Sequence, residues 1–297
     1  MTKTVACLAG DGVGPELMAA ATRALDRVAA LHNLDLDDRH FPFAGEGVTR
    51  SGHPLPPETR NGYREADAIL VASPHEPAFA GVKADLQLAW RVVRVHVDPK
   101  HDVVVSGPVG AWANETAIAR AFSCAASRHG RIVVVGDSAE WQHAVAAERG
   151  RWDGLEVEDA TLGETLVRLR EAPSSFDVIV TEAHLVDAVA DAAASFAGSQ
   201  AAVAHAWLSD EGPGVFAPGR TAPDDEAGFG VVDPTGMLLA TSLMLAEGLK
   251  RRSASRTLER AVGEARHADD TRAFTDAVID LLPQSRTDVE HFDEAWR

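Results

Sequence analysis

The stretch "GDGVGPE", residues 10–16, stands directly behind a short apolar run, "TVACLA" (4–9), and directly ahead of a helix-like stretch, "LMAAATRALDRVAAL" (17–31). Three glycines at a strand-to-helix corner let a backbone pass close to a ligand, and they equally preserve turns with positive φ. The corner alone leaves both readings open. The same strand-and-helix unit recurs along the chain. Short runs rich in Val and Ile alternate with segments of helical period: "DAILVAS" (67–73), "HDVVVSG" (101–107) before "ETAIARAFSCAASRHG" (115–130), "RIVVVGD" (131–137), and "FDVIVTE" (176–182) before "LVDAVADAAASFAG" (185–198). That rhythm predicts α/β layers whose strands are buried on both faces.

Between these units, "SGHPLPPETRNGYREA" (51–66) reads as a loop and then a helix start, with Glu58 in the first turn. The stretch 209–230, "SDEGPGVFAPGRTAPDDEAGFG", is dense in Gly, Pro and Asp and reads as loop rather than core. "TGMLLATSLMLAEGL" (235–249) and "TRAFTDAVIDLL" (271–282) read as helices, and the charged tail from 283 as peripheral.

With 297 residues, 45% of them apolar, the chain can bury one large core or two ordinary ones. Its 28 basic and 45 acidic residues give a formal charge of −17, which repels phosphate backbones and anionic lipid. Nucleic acid and membrane surfaces are therefore not expected partners. No apolar run approaches the roughly 20 residues of a membrane span, and the run at the N-terminus is too short for a secretory signal, so a cytoplasmic location is expected. Cys7 and Cys124 have neither metal-ligand nor redox spacing and read as small buried hydrophobes.

Five segments in one order, "LAGDGVGPELM" (8–18), "GHPLPPETRNGYREADAILVAS" (52–73), "FDVIVTEAHLVDAVADAAASFAGS" (176–199), "TAPDDEAGFGVVDPTGMLLATSLML" (221–245) and "TRAFTDAVIDLL", resemble the β-decarboxylating dehydrogenases, the family of isopropylmalate, isocitrate and tartrate dehydrogenases. The resemblance runs from residue 4 to about 282. It implies the isopropylmalate dehydrogenase-like α/β fold, two α/β subdomains flanking a central cleft. Residues 1–98 and 214–297 would form the cofactor side, and 99–213 the metal and dimer side.

The family chemistry it implies is hydride transfer from a metal-chelated 2-hydroxy acid to a nicotinamide, followed by loss of carbon dioxide. A divalent metal, Mg²⁺ or Mn²⁺, needs hard oxygen ligands. Asp187 and Asp191, spaced i, i+4 on a predicted helix, share one face, as metal ligands or as two solvated carboxylates. The resemblance matches them to the family's metal aspartates. It offers Asp159 as the third, on a helix ahead of "FDVIV", although a gap-free alignment puts Gly163 there, beside Glu164. Of three arginines that clamp substrate carboxylates, Arg94 matches one, while Ala84, beside Lys83, and Ser106 occupy the places of the others.

The proton-transfer lysine is replaced by Ser138, and the segment carrying the catalytic tyrosine and the dimer arm is skipped. The one tyrosine, Tyr63, lies in an early helix. No catalytic acid or base is assigned, with His143 and His184 as conceivable substitutes. On the cofactor side, Gly10, Asp11, Gly12 and Gly14 form the corner, Asp224 matches the aspartate that selects NAD over NADP by its ribose hydroxyls, and Asp233 stands where the family has an adenine-reading asparagine.

The sequence supports two functional readings. One is an NAD- and metal-dependent dehydrogenase of a malate-like small carboxylic acid, a homodimer. The other is a catalytically silent or repurposed relative, a binding or regulatory subunit that pairs with a full-length homologue.

Overall fold

Strand β1 (Lys3–Leu8) takes the apolar run ahead of the glycine corner, and helix α1 (Gly14–His32) comes after it. The computed structural model describes residues 2–73, 78–98, 101–196, 203–219, 224–265, 270–285 and 288–289. Pro15 and Glu16 suit the first turn of α1, where an N–H is dispensable and a negative charge meets the helix dipole. Leu17, Met18, Ala21, Ala24, Leu25 and Val28 make its buried stripe, and Asn33 in left-handed geometry ends it by donating its N–H back to Ala29 and Ala30.

The chain then forms β2 (Leu36–His40), α2 (Gly45–Ser51), α3 (Pro57–Glu65), β3 (Ala68–Val71) and α4 (Ala78–Asp85). A second series comprises β4 (Trp90–Asp98), β5 (His101–Pro108), α5 (Asn114–Ala126), β6 (Arg131–Val135), α6 (Ala139–Arg149), β7 (Glu156–Ala160), α7 (Leu162–Glu171), β8 (Val178–Thr181) and α8 (Val186–Phe196). Strands β9 (Val203–Leu208) and β10 (Gly214–Pro218) precede α9 (Thr235–Leu243), α10 (Arg252–Glu264) and α11 (Thr271–Leu281).

The contacts divide the chain into two compact units, residues 1–87, 204–206 and 211–297 in the first and 88–203 and 207–210 in the second. In the first, parallel strands run in the order β2-β1-β3-β10. The stretch 209–230 is not all loop. Its centre, Gly214–Pro218, is a fully buried strand paired with β3. A strand covered on both faces needs only a short apolar run, here Val215, Phe216 and Ala217, and the flanking glycines and prolines hide it. Strand β2 shows the opposite difficulty: "LDDRH" at the sheet edge is polar and half exposed, so no apolar period announces it.

In the second unit the order is β4-β5-β8-β6-β7, antiparallel only between β4 and β5. One face packs Val93, Val95, Val105 and Ile179 against Val186 and Val189 of α8. The other packs Val104, Val134 and Val180 against Ile118 and Phe122 of α5 and Trp141 of α6. Each such side chain moved from water into the core contributes about 1.5–3 kcal/mol, and these two layers hold α8 and α6 against the sheet. Between β5 and α5 stand five residues, 109–113, with a single 3₁₀ turn, so no strand arm leaves the unit there.

Candidate functional site

Strands β5, β8 and β6 are parallel, so their carboxyl ends share one edge of the second unit's sheet, where α/β proteins place ligands. The chain leaves β8 there through residues 182–185 and enters α8, whose first turn carries Asp187 and second Asp191, both exposed. Because β4 runs against β5, its start is brought to the same edge, Trp90 opposite Pro108 and Arg91 opposite Gly107. Arg91 Nη1 lies 2.5 Å from Asp187 Oδ1, and its guanidinium stands 5.3 Å from the centre of the Trp207 ring. Asp187 is 70% exposed, so the pair is worth no more than about 1 kcal/mol of stability. Its significance is where it holds positive charge.

Arg94 sits elsewhere. Alternate residues of a strand face opposite sides. Val93 and Val95 face α8, whereas Val92 packs with the α5 layer, and Arg94 shares the parity of Val92. Its side chain is 12% exposed and ion-paired with Asp102 at 3.2 Å. Asp102 also receives Arg128, which reaches on to Asp177, a fully buried carboxylate that accepts from the His129 N–H as well. Burial pushes the Asp102 carboxyl up, but Arg94 and then Arg128 outweigh it and hold it at about 2. Arg94 therefore neutralises a buried carboxylate on the face opposite Asp187. The arginine that shares the aspartates' face is Arg91, missed in the sequence although strand parity with Val93 and Val95 was there to be used.

The residues that the sequence resemblance matched to the family's other groups have local employment. Ser138 caps α6, its hydroxyl accepting from Trp141 N at 3.4 Å. Glu182 Oε1 accepts from Asp137 N (2.9 Å) and Ser138 N (3.1 Å), tying the ends of β8 and β6 together. Gly136, at φ +143°, is required there, since a Cβ would come within 2.6 Å of Glu182 Oε1. His184 is 71% exposed and 3.9 Å from Glu182 Oε2, and His143 is an exposed residue of α6.

Asp159 lies on strand β7, not on the helix after it, and pairs with Arg149 at 2.7 Å. The helix ahead of β8 is α7, where Glu164 closes a capping box with Thr161. Ser106 donates to the Arg91 carbonyl (3.3 Å), Ala84 is exposed on α4, and Lys83 stands over the Phe79 ring. Tyr63 is fully buried and donates its hydroxyl to Asp85 (2.5 Å), with its pKa driven far above the ordinary tyrosine value by burial and then by that bond.

In the first unit the glycine corner packs against the end of β3. A Cβ on Gly10, at φ +77°, would lie 2.5 Å from the Ser73 carbonyl oxygen, and one on Gly14 only 2.0 Å from that of Ala9. Gly12 has φ +59°. Both carboxylate oxygens of Asp11 accept from Gly45 N (2.8 and 3.0 Å) and so pin the entry of α2. Glu16 Oε1 accepts from Gly228 N at 2.5 Å, which couples the corner to the segment beginning at the 3₁₀ turn Asp224–Glu226. Asp233 Oδ1 accepts from Thr235 N (2.9 Å) and from the Thr235 hydroxyl, shaping the entry to α9. Cys7 is fully buried, whereas Cys124 is only partly so.

The sequence pattern of the isocitrate/isopropylmalate dehydrogenases matches residues 4–95 and 109–280. The chain belongs to that family. Among relatives, it is 29% identical to the 3-isopropylmalate dehydrogenase of Synechococcus sp. (strain CC9902), over 87% of this chain and 89% of that one, and 29% identical to that of Streptococcus thermophilus (strain CNRZ 1066), over 88% and 91%. The fold is that of a β-decarboxylating dehydrogenase from Thermococcus kodakarensis, with a TM-score of 0.82 at 21% identity over 99% of both chains. The isocitrate dehydrogenase of Methylococcus capsulatus superposes with a TM-score of 0.80 at 18% identity, over 94% of this chain and 99% of that one. The family match breaks between residues 95 and 109, which is the hairpin of β4 and β5 where Arg94 meets Asp102. Among the described residues, no helix is long and apolar enough to cross a membrane.

Proposed function

We propose that the protein is a cytoplasmic, NAD-dependent, metal-dependent dehydrogenase of a malate-like 2-hydroxy acid, with Arg91 rather than Arg94 receiving a substrate carboxylate. The observation that carries this is the Arg91–Asp187 pair at the carboxyl edge of the second unit's sheet. A guanidinium fork suits carboxylate, and one fork fits a substrate with fewer or differently placed carboxylates than the three-arginine clamp.

Asp187 and Asp191 fit a Mg²⁺ or Mn²⁺ ion in donor chemistry and exposure, two hard oxygens on one helix face. When bound, the ion would supply a Lewis acid for the hydroxyl and carbonyl oxygens. Asp159, paired to Arg149, is the weakest member of the proposed ligand set. Arg91 orients the acid and balances Asp187. Glu182 holds the backbone of Asp137 and Ser138 in place. For NAD, Asp224 would accept from the ribose hydroxyls, and Glu16 holds the Gly228 segment just beyond it. The corner glycines Gly10, Gly12 and Gly14 contribute a backbone shape that their contacts with Ser73 and Ala9 already demand.

A homodimer would use the exposed faces of α7 and α8, where Val167 is 50% and Phe196 41% exposed. The silent-subunit reading is favoured by one observation, the use of Ser138 as a helix cap where the family has its lysine. Turnover separates the two. Following NADH formation with Mn²⁺ across a panel of 2-hydroxy acids should give activity that Asp187→Asn and Arg91→Met abolish. Absence of NADH formation with every acid, together with assembly with a full-length homologue, would establish the silent subunit instead.

A further inference from the structure

We propose a second metal site in the first unit, a Zn²⁺-class site formed by Cys7, Asp38 and His40 across the parallel pair β1 and β2. Register makes it: Cys7 stands opposite His40, and Asp38, two residues back along β2, projects to the same side. The Cys7 sulfur, a carboxylate oxygen of Asp38 and a ring nitrogen of His40 all lie within 4.8 Å of one another, and His40 Nε2 is 3.5 Å from Asp38 Oδ2. Donors bound tetrahedrally at about 2.0–2.3 Å stand roughly 3.3–3.8 Å apart, so small side-chain rotations close the set.

The mixture of thiolate, imidazole and carboxylate selects a borderline-soft ion over Mg²⁺ or Ca²⁺, and three protein ligands leave one position for water. The burial gradient suits capture from solvent: Cys7 is fully buried, Asp38 half-buried and His40 exposed. Without metal the buried Cys7 is a protonated thiol at neutral pH, as an ordinary thiol is. On binding, Zn²⁺ replaces the thiol proton, which leaves to solvent, and no electron is transferred. The consequence is structural. The ion ties the polar edge strand β2 to the core strand β1.

The test is titration of the full chain with Co²⁺, followed by the thiolate-to-cobalt charge-transfer absorption in the near ultraviolet, with Zn²⁺ as competitor. Cys124→Ser should keep the band at one equivalent. Cys7→Ser should lose it. His40→Ala, at an exposed position that leaves the core intact, should weaken Co²⁺ and Zn²⁺ binding about tenfold or more. Absence of the band from the wild-type chain, a band that disappears with Cys124→Ser, or unchanged affinity in His40→Ala would each overturn the site. The Mg²⁺ or Mn²⁺ ligands on α8 contain no sulfur, so in Cys124→Ser the band reports on this site alone.

Discussion

Replacing Asp102 by Asn tests whether Arg94 has been taken into the scaffold. Asp102 is 15% exposed and lies between Arg94 and Arg128, whose charges hold its carboxyl at about 2 against an ordinary value of 3.8. A depression of that size corresponds to about 2 kcal/mol of stability at neutral pH, from 1.36 kcal/mol per pH unit. The loss in Asp102→Asn should be somewhat larger, about 2–4 kcal/mol, because Arg94 keeps its charge in a site that no longer neutralises it. The sign with pH is fixed. A carboxyl depressed on folding stabilises fully above its unfolded pKa near 4, and the contribution fades as pH falls toward 2, so about 1 kcal/mol of it is gone by pH 3. Urea denaturation of both proteins at pH 7, 5, 4 and 3 measures this. The gap between them should be constant from pH 7 to 5 and narrow below 4. A loss under 0.5 kcal/mol at pH 7, or a gap independent of pH, would refute the buried-network assignment and return Arg94 to the pool of ligand-binding groups.

Two further substitutions separate shape from chemistry. Gly14→Ala puts a Cβ 2.0 Å from the Ala9 carbonyl oxygen, so thermal or urea unfolding should show a loss of about 3 kcal/mol or more; unchanged stability with weakened NAD binding would make the glycine a ligand contact instead. Ser138→Ala removes the α6 cap and should cost about 0.5–1 kcal/mol in the same assay, whereas a fall in turnover at unchanged stability would make the hydroxyl a chemical group.

Where burial enforces a period, the fold was legible in the sequence. "RIVVVGD" and "FDVIVTE" became β6 and β8, and "LVDAVADAAASF" became α8 with Val189, Ala190 and Ala193 turned inward. Strands β2 and β10 were not, since an edge strand can be wholly polar and a central parallel strand needs only three apolar residues between turn formers. At the candidate site, the spacing of Asp187 and Asp191 was readable because one helix carries both. Arg94 was matched by family alignment, which does not register which way a strand residue faces; a shift of three positions, to Arg91, exchanges the α5 face for the α8 face. Asp159 was expected on a helix because "EVEDA", a strand, was merged with the helix that starts after Thr161. The grouping of Cys7 with Asp38 and His40 had no signal in the sequence, because it arises from register between strands about 30 residues apart, one of which has no apolar period.

The most direct test of the account is calorimetric titration of a 2-hydroxy acid with Mn²⁺ and NAD into Arg91→Met and Arg94→Met, each first shown by circular dichroism to be folded. Loss of acid binding in Arg91→Met, with affinity kept in whatever fraction of Arg94→Met is folded, is the predicted result. Binding retained by Arg91→Met and abolished in folded Arg94→Met would contradict it.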